Sequence, residues 1–194
     1  MGTPNKVYKT TCGKTIWHSR SVACVITVFV KLKSDPENTY CLLVRRGKDV
    51  DNQPNKVCLP CGYIDWDEDV GECANRELFE ETGLIIKDLD VFSCCYDGLN
   101  AFHVDNDGYG IPWYVNSCPC CDDLQNISFY FGEFITINSD DLPALTVQNN
   151  DGIGEIHSLM WVNLKNIHDY KDQIAFNHEV RIKQFSEYIK ELLF

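Results

Sequence analysis

Apolar positions follow two periods along this chain. VACVITVFVKL (22–32) is a nearly continuous β-branched run and reads as a buried strand. SDPENT (34–39) reads as a turn and YCLLVRRG (40–47) as a second strand, so the pair predicts a hairpin. After a polar loop (48–55), KVCLPCGYID (56–65) is a short extended piece broken at Pro60 and Gly62. The period then becomes helical over about 69–82, with Asp67 or Asp69 placed to cap the start and Gly83 placed just past the end. LDVFSCCYD (89–97), ISFYFGEFITI (127–137) and EIHSLMWVNL (155–164) read as further strands. The last segment, 176–194, reads as a helix whose apolar face is Val180, Phe185, Ile189 and Leu192 or Leu193. Strands interrupted by one helix and closed by another predict helices packed on a mixed β-sheet, within one domain spanning 1–194. Between two of the strands, 98–125 is polar, rich in Gly and Asp and long for a connection, which marks it as a specificity loop or insertion.

Charge changes the picture. The 194 residues carry 29 acidic and 17 basic side chains, a formal charge of −12. Such a field repels long polyanions, so no long nucleic acid is expected as a partner. A small anion remains possible where a divalent cation screens the site. No apolar run approaches the roughly 20 residues of a bilayer span, and the N-terminal residues lack the apolar core of a signal peptide. A cytoplasmic protein with no membrane partner is the expectation, and a homodimer is compatible with it. Eleven cysteines, an odd number without an export signal, predict free thiols rather than a disulfide framework.

The acidic side chains are concentrated. GYIDWDEDVGECANRELFEETGL (62–84) holds eight carboxylates in 23 positions. Glu77, Glu80 and Glu81 stand at i, i+3 and i+4 and share one helix face. Like charges at this spacing destabilise an isolated helix by a few tenths of a kcal/mol per pair, roughly. Arg76 pairs with Glu80 at i+4, but one arginine cannot neutralise three glutamates. Hard oxygen donors suit Mg²⁺ or Mn²⁺, and magnesium commonly bridges to substrate phosphates. A solvated acidic face is the bland alternative.

The stretch reads G62-x5-E68-x7-R76-E77-L78-x-E80-E81-x-G83-L84 and resembles the Nudix box of the Nudix hydrolase superfamily at every constrained position. CLLVRRG before it, and EIHSLMWVNL and IAFNH (174–178) after it, are similar to Nudix surroundings. The resemblance implies an α/β/α sandwich with a mixed β-sheet, an α/β (α+β) fold. It also implies Mg²⁺- or Mn²⁺-dependent hydrolysis of a nucleoside diphosphate linked to another moiety, X. It makes Glu80, Glu81 and the Gly62 carbonyl metal ligands, and Glu77 a further ligand or the base that activates water. Arg76 would orient Glu77, and Glu68 and Gly83 would support the loop–helix–loop. Where the family often has Pro-Gly-Gly, this chain has Pro60-Cys61-Gly62, so Cys61 must take ordinary backbone angles.

Outside the box, Glu155 is the best candidate for a distant catalytic base, with surface exposure as the alternative, and Glu133 is a weaker one. Arg45, Arg46 and Arg20 lie at predicted strand ends, where they bind phosphates or are merely solvated. Trp113, Tyr114 and Phe102 in the long loop stack on a nucleobase or anchor the loop to the core. Gln125 and Asn126 contact ligand or close the loop, and His178 is a packed, hydrogen-bonded histidine by default. Cys58-x2-Cys61 and Cys118-x2-Cys121 have the inner spacing of zinc knuckles, but their separation far exceeds the roughly 15–20 residues of a compact module. A pyrophosphohydrolase acting on a small nucleotide-derived diphosphate is the leading reading. A Nudix-fold nucleotide sensor without turnover and a zinc-stabilised interaction protein are the alternatives.

Overall fold

The computed structural model of the chain describes residues 6–18, 21–102, 110–117, 126–148 and 154–192. A small antiparallel hairpin, β1 (Lys6–Lys9) and β2 (Thr15–His18), comes first. Then follow β3 (Val22–Leu32), β4 (Asp35–Arg46), β5 (Val57–Cys58), β6 (Cys61–Tyr63), helix α1 (Val70–Thr82) and β7 (Val91–Asp97). The remainder is β8 (Tyr114–Ser117), β9 (Ile127–Ile137), β10 (Ile156–Asn163) and helix α2 (His178–Leu192). Short 3₁₀ turns cover Ile86–Asp88 and Leu164–Tyr170.

The main sheet runs β10-β4-β3-β9-β7, with β5 beside β4, β6 beside β3 and β8 beside β9. β3 and β9 are parallel over eleven residue pairs, whereas the other neighbours are antiparallel, so the sheet is mixed. Alternation along β3 explains its unbroken apolar run, because both faces are covered. Cys24, Ile26, Val28, Val30 and Leu32 pack with Cys73, Ala74 and Leu78 of α1. Val25 and Phe29 pack with Ile182, Phe185 and Ile189 of α2 on the other face. This is the α/β/α sandwich with a mixed sheet. Phe185 lies against Gly132 of β9 so closely that a Cβ there would fall inside its ring.

Four local expectations change. β4 begins at Asp35, so the predicted turn shrinks to residues 33–34. The N-terminal hairpin carries no long apolar run, and the sequence pattern does not announce it. Part of the supposed long loop is a strand, β8, paired with β9 from Tyr114↔Tyr130 to Ser117↔Ile127. On α2, Val180 is 50% exposed and Leu192 53% exposed, while Ile182 is buried. The buried set 182, 185 and 189 has 3- and 4-residue steps, which Val180 to Phe185 does not. Leu193 lies outside the described residues.

One irregularity positions the site. β3 pairs with β6 through Ala23–Val25 but with β4 through Phe29–Leu32. Where the neighbours change, the Ile26 N–H donates to the Pro60 carbonyl (2.9 Å), and β5–Pro60–β6 fills the split. Gly62 is thereby set against α1. Among the described residues, no helix is long and apolar enough to cross a membrane, and eight cysteines are free thiols.

Candidate active site

The box helix is closed at both ends by its own sequence. Asp69 caps it, its Oδ1 accepting from the Gly71 and Glu72 N–H groups, while Glu72 reaches back to the Asp69 N–H (2.8 Å), completing a capping box. Asp67, the other candidate cap, instead takes a left-handed turn with φ 68°. At the far end Gly83 is left-handed (φ 70°) and its N–H donates to the Phe79 carbonyl (2.7 Å).

Arg76 is the hub of the charged cluster. Its Nε and Nη2 donate to the two oxygens of Glu68 (3.0 and 2.6 Å), a bidentate pair. Nη1 donates to Glu77 (2.8 Å) and Glu80 (3.1 Å), and Nη2 also to the Tyr63 carbonyl (3.0 Å). Glu68 in turn accepts from the Asp65 N–H (2.6 Å), which ties the loop to the helix. The Arg76 hydrogen bonds hold the Glu68 carboxyl down at about 2.

Glu77 and Glu81 behave oppositely. A Cβ added at Gly62 would fall inside the Glu77 carboxylate, so any other residue there would push that carboxylate from its place. Burial raises the Glu77 pKa against the pull of Arg76, and Glu80 and Glu155 add to the rise. Glu81 is 6% exposed, and its Oε2 accepts from the Cys61 N–H (3.0 Å). Burial pushes its pKa well above the usual carboxylate range, with the Cys61 thiol, Glu77 and Glu155 adding to the effect. The Glu155 charge therefore acts on both box glutamates, although it lies more than 70 residues away in sequence; Arg46 Nη1 stands 3.6 Å from its carboxylate. Cys61 keeps an ordinary negative φ, as its place in the motif demands.

The three box glutamates do not themselves form a ligand set. Among the described residues, no three His, Cys, Asp or Glu side chains stand close enough together to hold a metal ion. Glu77 and Glu80 turn to Arg76 and Glu81 to a backbone N–H, because like charges avoid one another and take other partners. The donor chemistry nonetheless fits a hard divalent cation. The Glu77 carboxylate lies against the Cα of Gly62, Glu81 is held at the neighbouring Cys61 N–H, and burial raises the pKa values of both carboxyl groups.

The other candidates separate by position. Arg46 is buried, lies 5.3 Å from the centre of the Phe176 ring and donates to the Asn52 carbonyl. Arg45, one residue earlier on β4, donates to the Asn55 carbonyl and lines a separate cleft of about 510 Å³ with Trp161, Asn163 and Tyr170. Trp113 packs among Tyr114, Tyr130, Phe185 and Tyr188, stacked on Tyr188 with centroids 6.0 Å apart. Its rings anchor this part of the chain to the α2-side core, and Phe102 does the same on the α1 side. His178 is buried, accepts at Nδ1 from the Leu59 N–H (3.1 Å) and is pushed down to about 3 by burial, with Arg181 and Arg46 adding. It is a neutral brace for the strand entering the box. Asn126 bridges Ser21 and Tyr63. Arg20, Gln125, Cys118 and Cys121 lie outside the described residues.

Glu133 is a surprise. It is fully buried on the α1 face; Oε1 accepts from the Leu99 N–H (2.7 Å), while Oε2 has no hydrogen-bond donor among the described residues. Burial lifts its pKa to about 9, and Asp97 adds to the rise. A carboxylic acid neutral at pH 7 is no general base. With Asp97, which accepts from the Ala101 and Phe102 N–H groups, it gathers the start of the 98–102 turn. Glu133→Gln is therefore expected to leave stability within about 0.5 kcal/mol, whereas Glu133→Ala costs about 2 kcal/mol by stranding the Leu99 N–H. Urea unfolding of both variants checks this; equal losses would show that the hydrogen bond is unimportant.

The family model described as NUDIX domain matches residues 20–183. No curated protein matches the chain. Among solved structures, the Nudix hydrolase RenU from M. smegmatis is similar over 96% of this chain and 95% of its own, at 14% identity and TM-score 0.56. The NUDIX domain of Shewanella oneidensis NrtR, complexed with ADP ribose, covers 94% of each chain at 18% identity and TM-score 0.55. A bifunctional NMN adenylyltransferase/ADP ribose pyrophosphatase from Francisella tularensis reaches TM-score 0.61 at 20% identity over 88% of this chain. This chain spans only 42% of that protein, and 44% of a MutT/nudix family protein from Enterococcus faecalis. At these identities the structures attest the fold, and the family match covers most of the sequence, box included. The chain belongs to the Nudix hydrolase superfamily.

Proposed function

We propose that this chain is a divalent-metal-dependent hydrolase of the diphosphate in a nucleoside diphosphate linked to a moiety X. The observation that carries this reading is the Glu77 carboxylate against the Cα of Gly62, with the buried Glu81 held at the neighbouring Cys61 N–H. Glu80, Glu81 and the Gly62 carbonyl would hold Mg²⁺ or Mn²⁺, which when bound neutralises phosphate oxygens and activates water. Arg76 holds Glu77 by one hydrogen bond and so fixes the oxygen that takes a proton from the attacking water. Glu155, whose charge acts on Glu77 and Glu81 and which stands beside Arg46, is the second candidate proton acceptor. Arg46 would contact a phosphate. The site is carboxylate-rich, so substrate anions enter only once charge is neutralised.

ADP ribose heads the compounds to test, because the Shewanella domain is complexed with it and the Francisella protein is an ADP ribose pyrophosphatase. Incubation of a nucleotide-diphosphate panel with the chain and Mg²⁺, with products weighed by mass spectrometry, should show cleavage within one diphosphate. Binding of a panel member without turnover under these conditions would favour the sensor reading, in which the same fold only recognises nucleotide.

The raised pKa values make a second prediction. A carboxyl with folded pKa above its unfolded value contributes stability that is fully present below the unfolded value and is lost as pH rises through the folded one. Glu77 and Glu81 thus strain the cation-free fold at neutral pH. Mg²⁺ at 100 times its Kd should stabilise the chain by about 2.7 kcal/mol. The gain in Tm should be larger at pH 8 than at pH 5, where protons occupy the same oxygens. A shift independent of pH would place the cation elsewhere.

A further inference from the structure

Arg181, the fourth residue of α2, is not part of the box and is not engaged as the other site arginines are. Its guanidinium lies over Tyr114 (4.4 Å to the ring centroid) and Tyr130 (5.4 Å). Nη1 donates to Gln184 (2.6 Å), and the guanidinium charge acts on the Tyr130 hydroxyl. Among the described residues it has no carboxylate partner, whereas Arg46 stands beside Glu155 and Arg76 beside Glu68, Glu77 and Glu80. Arg45 likewise has no carboxylate partner among the described residues, but it is tied to the Asn55 carbonyl, whereas Arg181 is held by Gln184 and by the tyrosine rings. Contact with two aromatic rings holds the guanidinium in place, and with Nη1 spent on Gln184 its other N–H groups are donors for an anion. The residue is half-buried.

Its distance from the box follows from sheet register. Cys61 pairs with Val25, Val25 with Tyr130, and Tyr130 with Tyr114, so these four residues form one row across β6, β3, β9 and β8. Laterally paired residues point to the same face, and strands stand about 4.8 Å apart, so Tyr130 lies about 10 Å and Tyr114 about 14 Å from Cys61. Cys61 donates to Glu81 and precedes Gly62, so the row begins at the box entrance. It ends under Arg181. The charges of Arg181 and Arg46 both act on His178, one turn before Arg181 on α2.

We propose that Arg181 is the anion-binding residue of a second phosphate subsite, and that the substrate carries a phosphomonoester remote from the diphosphate that is cleaved. The inference rests on the hydrolase reading of the box and narrows its substrate class to nucleoside diphosphate derivatives bearing a further phosphate. Tyr114 and Tyr130 are the shelf that aims the guanidinium. A purely structural cover for these rings would be served by any long side chain and would not discriminate between ligands.

The test uses ADP ribose and ADP ribose 2′-phosphate, which differ only in the remote phosphate. Binding is measured calorimetrically on the full chain with Mg²⁺, using the methylene-bridged diphosphate analogue of each compound so that no turnover intervenes. The phosphorylated compound is expected to bind at least about tenfold more tightly. Arg181→Gln should bring the two to parity by weakening only the phosphorylated one. Arg181→Lys, which keeps the charge but loses the fork, should retain part of the preference and covers the case in which the glutamine variant does not fold. Equal binding of both compounds by the unaltered chain, or equal weakening of both in the variants, overturns the subsite. Turnover with Mg²⁺ is scored separately. A binding preference without cleavage of either compound leaves the subsite standing and sinks the hydrolase reading. Cleavage of both at equal kcat/KM and with equal affinity does the reverse.

Discussion

Glu81→Gln is expected to lower kcat by about 10³-fold while raising the Tm of the cation-free protein. The two effects have one cause. The substituted amide keeps the volume of the side chain and an oxygen that accepts from the Cys61 N–H, so the packing of α1 on β6 is preserved. It removes a negative charge that is buried beside Glu77 and Glu155, and so removes the charge for which the cation is needed. The folded-state pKa of Glu81 is raised, so its ionisation opposes folding once pH passes the unfolded value. Neutral glutamine escapes that cost at pH 7. A gain of about 1 kcal/mol would appear as a rise of roughly 2–4 °C for a chain of this size. Activity lost and stability gained together is the signature of a site built against its own fold. Calorimetry and steady-state kinetics on the same preparation decide it. A variant that is both less active and less stable would mean that Glu81 acts structurally.

Arg76→Gln should have the opposite sign on stability, at a cost of about 3 kcal/mol. Arg76 is about one-quarter exposed and holds three carboxylates, so its loss leaves Glu68, Glu77 and Glu80 facing one another without a cation. Turnover should fall about 10²-fold as well, because Glu77 loses the donor that orients it. Acid behaviour separates this from a general packing defect. Glu68 is depressed to about 2 from an ordinary value of 4.5. A depressed carboxyl contributes stability that is present above the unfolded pKa and is lost as pH falls through the folded one. The unaltered chain should therefore lose stability steeply between about pH 4.5 and pH 2. In Arg76→Gln the profile over that window should be flatter. Urea midpoints at four pH values would show it, and parallel profiles for the two proteins would remove Glu68 from the account.

The site is largely legible from sequence where its geometry is local. Glu77, Glu80 and Glu81 share a face because an α-helix places i, i+3 and i+4 together, and Arg76 reaches Glu80 for the same reason. Asp69, Glu72 and Gly83 declare the helix ends through side-chain and backbone chemistry that acts over three or four residues. The apolar run at 22–32 announces a strand covered on both faces, and the structure has α1 on one and α2 on the other. Spacing on α2 misleads at Val180 because a short apolar stripe with one extra hydrophobe admits two phases, and only packing on Gly132 and Phe29 selects Ile182, Phe185 and Ile189. β8 is invisible in the pattern because four residues pair only when β9 offers an edge.

By itself, then, the sequence determined which residues carry negative charge, on which helix they lie and where that helix starts and stops, since each depends on neighbours within one turn. The tertiary structure decided what those charges meet. Gly62 comes under Glu77 because β3 exchanges β6 for β4 halfway along its length. Glu155 comes to the box because β10 pairs with β4 and ends beside Arg46. Arg181 settles over Tyr114 and Tyr130 through register across four strands and the seat of α2 on the sheet. Contacts between residues tens of positions apart depend on strand order and register, which are selected by burial of the whole sheet rather than by any short stretch of chain.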